Sequence, residues 1–163
     1  MPRQELSPEE ILDILHTSLP ELRSVTGRLS EAQLDSTASD DNWSIRYIVA
    51  HLHSCEVVLG GQMIRIVSED RPSWRRLSPR EYIRKTDFPD WDVARALDDI
   101  DEHRQGVLAA VEPLQADGWT RVAVVTEAPG KLVDRTLRFY GDWLAGHERE
   151  HLVQIRQIAA TFS

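Results

Sequence analysis

The sequence is poor in cysteine: Cys55 is the only one among 163 residues. A single cysteine excludes an internal disulfide and any thiolate metal cluster. A metal ion in this protein would therefore be held by histidine or carboxylate side chains. Six histidines are available for that role.

Long apolar runs are also absent. No stretch of about 18 or more apolar residues occurs, and the N-terminus M-P-R-Q-E-L-S-P-E-E lacks the apolar segment of a signal peptide. We therefore expect a cytoplasmic protein with no membrane span. The length, with 41% apolar and 28% charged residues, is typical of one soluble globular domain covering residues 1–163.

A surplus of basic residues is missing as well. The formal net charge of -8 argues against a nucleic-acid partner, because phosphate binding needs Lys and Arg gathered on one face. The one basic cluster is R-P-S-W-R-R, residues 71–76, which we interpret as a solvated loop, with contact to an anionic ligand as the alternative. The expected partner is a small-molecule substrate.

Helix signals are abundant. Capping patterns mark helix starts at residues 7–10, 30–33 and 78–81, and Ser44 is a further cap. Apolar repeats at helical spacing predict long helices at about 8–27, 45–68, 91–114 and from 134 or 136 almost to the end. A polar loop is expected at 36–42, and β-branched residues between 119 and 135 predict a short hairpin or an extended pair. The sequence therefore predicts an all-α fold: a four-helix bundle with short accessory helices.

The last helix carries two histidines on its apolar face. Apolar residues at 137, 140, 144, 155 and 158 form a stripe, and His147 and His151 occupy the gaps in it. Two imidazoles four residues apart lie one above the other and can hold one metal ion. A metal is the simplest partner for two such buried groups, since each costs roughly 1–3 kcal/mol when unpaired. The ordinary alternative, a surface or hydrogen-bonded ring, is favoured for His16, His53 and His103.

The residues His147-Glu148-x-x-His151 also match the H-E-x-x-H pattern of zinc peptidases. In those enzymes the third protein ligand comes from further down the chain. After His151 the chain reads L-V-Q-I-R-Q-I-A-A-T-F-S, which contains no Asp, Glu, His or Cys. We therefore do not expect a peptidase, and we expect the third ligand to lie upstream. His51, beside core positions 48, 52 and 55 of the second long helix, is the best candidate.

Two segments together resemble the DinB/YfiT superfamily of metal-binding four-helix bundles. N-W-S-I-R-Y-I-V-A-H-L, residues 42–52, has the Trp-Ser helix start of that family, followed about two turns later by a histidine. G-H-E-R-E-H-L-V-Q-I, residues 146–155, has its H-x-x-x-H followed by Gln-Ile. The resemblance spans nearly the whole chain. It implies a divalent ion such as zinc or nickel held by His51, His147 and His151, and a homodimer.

Three imidazoles leave a coordination position open, as in catalytic rather than structural zinc sites. The resemblance implies a metal that activates a low-molecular-weight thiol of the bacillithiol or mycothiol type in an S-transferase or isomerase. Two alternatives stay open: a hydrolase that uses metal-bound water with Glu148 as its base, and a metal-binding stress or interaction protein without turnover. The polar preference of Glu favours a solvated Glu148 over a catalytic one.

Candidate substrate-binding residues are those near His51 in the sequence, namely Arg46, Tyr47 and Glu56. Cys55 lies one turn after His51. We interpret it as a small core residue rather than a metal ligand, because free cysteine behaves as a hydrophobe.

Overall fold

The computed structural model describes residues 3–37 and 43–162. Most of the polar loop expected at 36–42 lies outside the described residues. The helices are α1 (Pro8–Thr26), α2 (Glu31–Asp35), α3 (Ile45–Cys55), α4 (Gly61–Ser68), α5 (Pro79–Ile83), α6 (Val93–Val111) and α7 (Leu137–Ala160). Short 3-10 helices span Phe88–Asp90 and Ala116–Thr120, and the strands are β1 (Ser73–Arg75), β2 (Val122–Glu127) and β3 (Lys131–Thr136).

The second long helix of the bundle is interrupted without being broken. A π-helical turn, Glu56–Gly60, connects α3 directly to α4, so that the rod runs from Ile45 to Ser68. Together with α1, α6 and α7 it forms the four long rods that the apolar repeats predict. No helix in the described part of the chain is long and apolar enough to cross a membrane.

The predicted capping residues have their expected roles. Ser7 and Ser30 close full capping boxes, each accepting a hydrogen bond from the third helical N–H while that residue's side chain bonds back to the cap. Ser44 accepts from the backbone N–H of Tyr47 at 3.1 Å and so fixes the start of α3. This cap sets the position of His51 two turns further on.

The all-α expectation is only partly right, because the mostly helical chain also contains a small sheet. β2 and β3 pair antiparallel before α7, where a hairpin or extended pair is expected. β1 pairs in parallel with β2, with Trp74 opposite Val125. β1 comes from the basic cluster interpreted as a loop; three residues with alternating exposure carry too little pattern to identify a strand.

The core consists of two apolar clusters stacked along the bundle. The cluster at the sheet end includes Ile11, Leu59, Val107, Val125 and Leu144. The cluster at the other end includes Leu22, Ile48, Ile100 and Ile155. Each of the four long rods contributes to both clusters, so the level between them is where polar side chains from all four rods meet.

Gly60, at the end of the π-helical turn, allows close packing against α6. A Cβ at Gly60 would lie 2.9 Å from Cγ2 of Val107, which is a stiff, buried side chain. A Cβ at the next residue, Gly61, would have nothing within 4 Å. The two adjacent glycines therefore have opposite packing environments within one continuous helix.

We expect Gly60→Ala to lower the free energy of unfolding and Gly61→Ala to raise it by up to about 1 kcal/mol, the usual gain of Ala over Gly inside a helix. The difference between the variants, about 1–3 kcal/mol, measures the overpacking against Val107. Urea denaturation of both variants beside the wild type checks this. Equal effects of the two substitutions would contradict the close approach of the two helices.

Candidate metal centre

The structure brings His51 of α3 together with His147 and His151 of α7. One ring nitrogen of each histidine lies within 4.8 Å of those of the other two. The ring centroids are 5.7 Å apart for His51 and His147, 5.1 Å for His51 and His151, and 5.3 Å for His147 and His151. His51 is 2% exposed, whereas the other two rings are half-buried. The cluster is therefore closed on its core side and open at one edge.

The other histidines have ordinary partners, as expected. His16 pairs with Glu112 at 2.5 Å on the surface, and His103 lies 3.5 Å from Asp99. His53 is buried and points away from His51, with its Nε2 2.6 Å from Asp99 and its ring stacked 3.7 Å from Phe88. Within residues 3–37 and 43–162, no second group of three or more His, Cys, Asp or Glu side chains has metal-binding geometry.

Gln154 orients one of the three rings. Its Oε1 lies 2.9 Å from Nδ1 of His151, one turn earlier on α7. Because an amide oxygen only accepts hydrogen bonds, Nδ1 of a neutral His151 carries the proton and Nε2 keeps its lone pair. Such partners of a ligand histidine fix its tautomer and its direction. The Gln-Ile that follows the histidine pair thus has a physical role.

The protonation states of the cluster suit metal binding at neutral pH. Burial, followed by the charges of His151, His147 and Arg80, lowers the pKa of His51 to about 4. Burial, followed by the charge of His151, also lowers the pKa of His147. Metal ions bind the neutral imidazole, so neither ring has to lose a proton at pH 7.

Trp43 covers two of the histidines from the side of α3. Its ring centroid is 5.2 Å from that of His51, and it stacks at 6.2 Å on His151. Tyr47 packs edge-on against Trp43 at 4.8 Å and is half-buried. Tyr47 thus lies behind the aromatic ring rather than against the histidines, and its part in substrate binding stays a prediction.

Arg46 ties neighbouring elements to α3. Its guanidinium bonds to the carboxylates of Glu31 and Asp35, both on α2, and donates to the backbone carbonyl of Trp91 at 3.0 Å. These bonds occupy the donors that a substrate would need. The substrate-binding role of Arg46 stays a prediction, while its observed contacts attach α2 and the start of α6 to the second rod.

A buried ionic layer crosses the bundle between the two apolar clusters. Arg104 donates to both carboxylate oxygens of Glu56 at 2.9 and 2.8 Å, to both oxygens of Glu148 at 2.9 Å, and to the carbonyl of Leu15 at 2.8 Å. Ser18 donates to Glu148 at 2.6 Å. The four side chains, of Ser18, Glu56, Arg104 and Glu148, come from four different rods, and none is more than 3% exposed. We call them the ionic layer.

Two predicted site residues, Glu148 and Glu56, belong to this layer. The expectation of a solvated Glu148 is wrong, because the residue is 2% exposed and its carboxylate faces Arg104. Glu56, a candidate for substrate binding, lies 1% exposed against the same guanidinium. Whether either carboxylate takes part in the chemistry stays a prediction.

Sequence reasoning did not identify Arg104. The residue stands in the charged run D-D-I-D-E-H-R, yet it also fills a gap in the apolar stripe formed by positions 97, 100, 107, 108 and 111. A charged residue in such a gap faces the core, where a lone ion is so costly that it must be paired. The signal was therefore of the same kind as the one that identified His147 and His151.

Cys55 is a core residue, as expected. It is 1% exposed and belongs to the apolar cluster at the sheet end. Its sulfur lies 3.7 Å from Nε2 of His51. Burial, with the negative charges of Glu148 and Glu56, raises the pKa of the thiol to about 12, so the side chain remains a neutral thiol at pH 7.

The basic cluster at residues 71–76 lines a separate surface cavity of about 600 Å³. Arg75 and Arg76 form one wall, and the turn at 128–130 forms another. Arg71 is instead paired with Asp134 at 3.1 Å. Contact of this cluster with an anionic ligand stays a prediction.

Comparisons with known proteins agree with this architecture. Residues 14–155 match the family model of the DinB superfamily. No curated protein matches the chain in sequence.

Solved structures share the fold. YfiT from Bacillus subtilis, described as a probable metal-dependent hydrolase with an unusual four-helix bundle topology, has a TM-score of 0.79 at 17% identity, covering 99% of this chain and 93% of YfiT. The mycothiol-dependent maleylpyruvate isomerase has a TM-score of 0.64 at 15% identity, covering 91% of this chain and 60% of the isomerase. At these identities the likeness establishes the fold alone.

The lowered pKa of His51 predicts that the metal-free protein loses stability in acid. The pKa rises from about 4 in the folded chain to 6.5 when it unfolds, so the unfolded state binds the proton more tightly. This contribution, about 3 kcal/mol, is present above pH 6.5 and is lost as the pH falls towards 4. Urea titrations with chelator should show the wild type losing about 3 kcal/mol of unfolding free energy relative to His51→Gln over that range. A difference that does not change with pH would contradict the assignment.

We expect Gln154→Ala to weaken metal binding by about 10- to 100-fold, because His151 loses the partner that fixes its tautomer. Competition with a chromophoric chelator measures the dissociation constant. Gln157→Ala, which removes an exposed glutamine further along the same helix, is the matched control and should leave the constant unchanged. Equal affinity of the two variants would show that Gln154 does not orient the ring.

Proposed function

Because the chain belongs to the DinB superfamily, we propose that it binds a divalent metal through His51, His147 and His151 and uses it to activate a low-molecular-weight thiol in an S-transferase reaction. One observation carries this proposal: nitrogens of three imidazoles from two different rods converge within 4.8 Å. Zinc and nickel are among the ions that suit three neutral imidazole ligands.

The surroundings of the three rings fit a metal ion. Two of the rings have pKa values lowered by burial, so they offer lone pairs rather than protons at pH 7. The third is directed by Gln154. The half-buried edge at His147 and His151 leaves room for a further ligand, which is the arrangement of a catalytic site.

The proposed reaction joins the sulfur of a thiol to an electrophilic carbon. A divalent ion at the three histidines lowers the pKa of a coordinated thiol or water. The thiol proton passes to solvent, the sulfur–carbon bond forms, and the bond from that carbon to its leaving group breaks. The Trp43 ring gives the apolar wall against which the reactants pack.

The ionic layer favours a thiol over water as the nucleophile. Water attack with Glu148 as base needs a free carboxylate, and both oxygens of Glu148 accept hydrogen bonds from Arg104. A thiol acidified by a metal needs no such base. The similar fold of the mycothiol-dependent maleylpyruvate isomerase supports this preference.

Hydrolysis is the second candidate function. It is supported by YfiT, the more similar of the two folds, which is described as a probable metal-dependent hydrolase. The proposed protein is a homodimer that acts on small molecules and does not bind nucleic acid. The dimer is what the sequence resemblance implies, and the net charge of -8 argues against a nucleic-acid partner.

Elemental analysis of protein purified without chelator or affinity tag tests the site. We expect about one zinc or nickel ion per wild-type chain, and none in His51→Ala, His147→Ala or His151→Ala, since two imidazoles hold a metal weakly. The matched control is His103→Ala, which removes an exposed histidine outside the cluster and should keep the ion.

The same variants test whether the metal is structural. His147→Ala should change the free energy of unfolding only modestly, by about 1–2 kcal/mol, because the His147 side chain is only half-buried. Wild-type protein that neither contains nor takes up metal would contradict the proposed site. Metal-loaded protein that turns over hydrolytic substrates without any thiol would favour the second candidate function.

A further inference from the structure

Arg80 lies at the edge of the histidine cluster. It belongs to the short helix α5, which packs against α3 and the π-helical turn. Its guanidinium carbon is 5.3 Å from the ring centroid of Trp43, the ring that covers His51 and stacks on His151. The connection between α4 and α6 therefore places a positively charged side chain against Trp43 at the site.

The charge of Arg80 reaches the metal ligands. It contributes to lowering the pKa of both His51 and His147. These two histidines come from different rods, so the guanidinium lies within electrostatic range of both rods that supply the cluster.

Arg80 is also uncompensated. Across residues 3–37 and 43–162, its side chain has neither an ion pair with a carboxylate nor a hydrogen bond, and the ring it contacts is that of Trp43. Arg46 and Arg104, by contrast, are each held by two carboxylates. An exposed guanidinium resting on an aromatic ring keeps its planar set of donors free for a carboxylate.

We propose that Arg80 is a specificity-determining residue that binds the carboxylate of an anionic small-molecule ligand entering at the open edge of the histidine cluster. This inference rests on the proposed function and narrows it: the ligand carries a carboxylate a few ångströms from the group that reaches the metal. That carboxylate belongs either to the thiol or to the electrophile.

Cobalt-loaded protein provides the test, because coordination of a thiol to Co²⁺ changes its visible and near-ultraviolet spectrum. Titration with 3-mercaptopropionate and with 3-mercaptopropan-1-ol compares two thiols of equal length that differ in the carboxylate. Succinate is then titrated into cobalt protein that already holds the neutral thiol. This titration tests the other source of the carboxylate, namely the electrophilic substrate. The proteins are wild type, Arg80→Gln, Arg80→Lys and Arg84→Gln.

We expect the wild type to bind at least one carboxylate probe, the charged thiol or succinate, more tightly than Arg80→Gln does, by about 10-fold or more. Affinity for the neutral thiol should stay within about twofold. The affinity of Arg80→Lys for the carboxylate probe should fall between those of the wild type and Arg80→Gln, because lysine keeps the charge but lacks the planar guanidinium. Arg84→Gln is the matched control: Arg84 directly follows α5 and is exposed, and its side chain has no ion pair, hydrogen bond or ring contact with a described residue.

Metal affinity separates a binding role from a structural one. Removing a positive charge beside a bound cation should leave cobalt affinity unchanged or raise it, whereas local damage to the site would lower it along with the affinity for every probe. The inference is overturned if Arg80→Gln keeps the carboxylate preference, or if it weakens metal and all probes together. Wild-type protein that takes up cobalt but shows no carboxylate preference overturns this inference alone, and failure to take up any metal overturns the proposed function with it.

Discussion

The arrangement of the bundle depends on the buried guanidinium of Arg104. It is 1% exposed and bonds to a group on each of the other three rods: the Leu15 carbonyl of α1, Glu56 of the π-helical turn and Glu148 of α7. Removing one partner from such a buried ionic group costs on the order of 3–5 kcal/mol, because a charge is left without compensation. A shift of any rod by one turn would break these bonds, so the ionic layer holds the four rods in one register.

That register also positions the candidate metal site. Glu148 follows His147 directly, and Glu56 lies five residues after His51, so the rods that supply the layer's carboxylates also supply the three imidazoles. In this layer two carboxylates face one guanidinium, and burial raises the pKa of Glu56. The three imidazoles nearby would hold a divalent ion. Arg80 lies at the open edge with the same sign as the ion. A ligand that enters between two positive groups is favoured if it is an anion.

Local signals in the sequence predict the helices and strands, whereas contacts between residues far apart in the chain are seen only in the structure. Ser44 caps a helix through a bond three residues away, and His147 with His151 reveal themselves by helical spacing alone. Core spacing and the family resemblance together predict His51 as the third ligand. The gap in the apolar stripe indicates that Arg104 turns inward, but nothing in the sequence says which carboxylate it meets, because the Arg104–Glu56 pair spans 48 residues. The position of Arg80 depends on how the connection after α4 folds back, and the three residues of β1 are too few for a pattern.

The metal site belongs to a bundle whose packing is complete without it. Apolar clusters lie on both sides of the ionic layer, and each draws apolar side chains from all four rods. Burial keeps His51 and His147 neutral at pH 7, so these two rings do not repel each other as cations when no metal is bound. A structural zinc site, by contrast, is fully surrounded by protein ligands and supplies folding energy itself. Three imidazoles with an open edge, held in a fold stabilised elsewhere, favour a metal that binds ligands over one that holds the chain together.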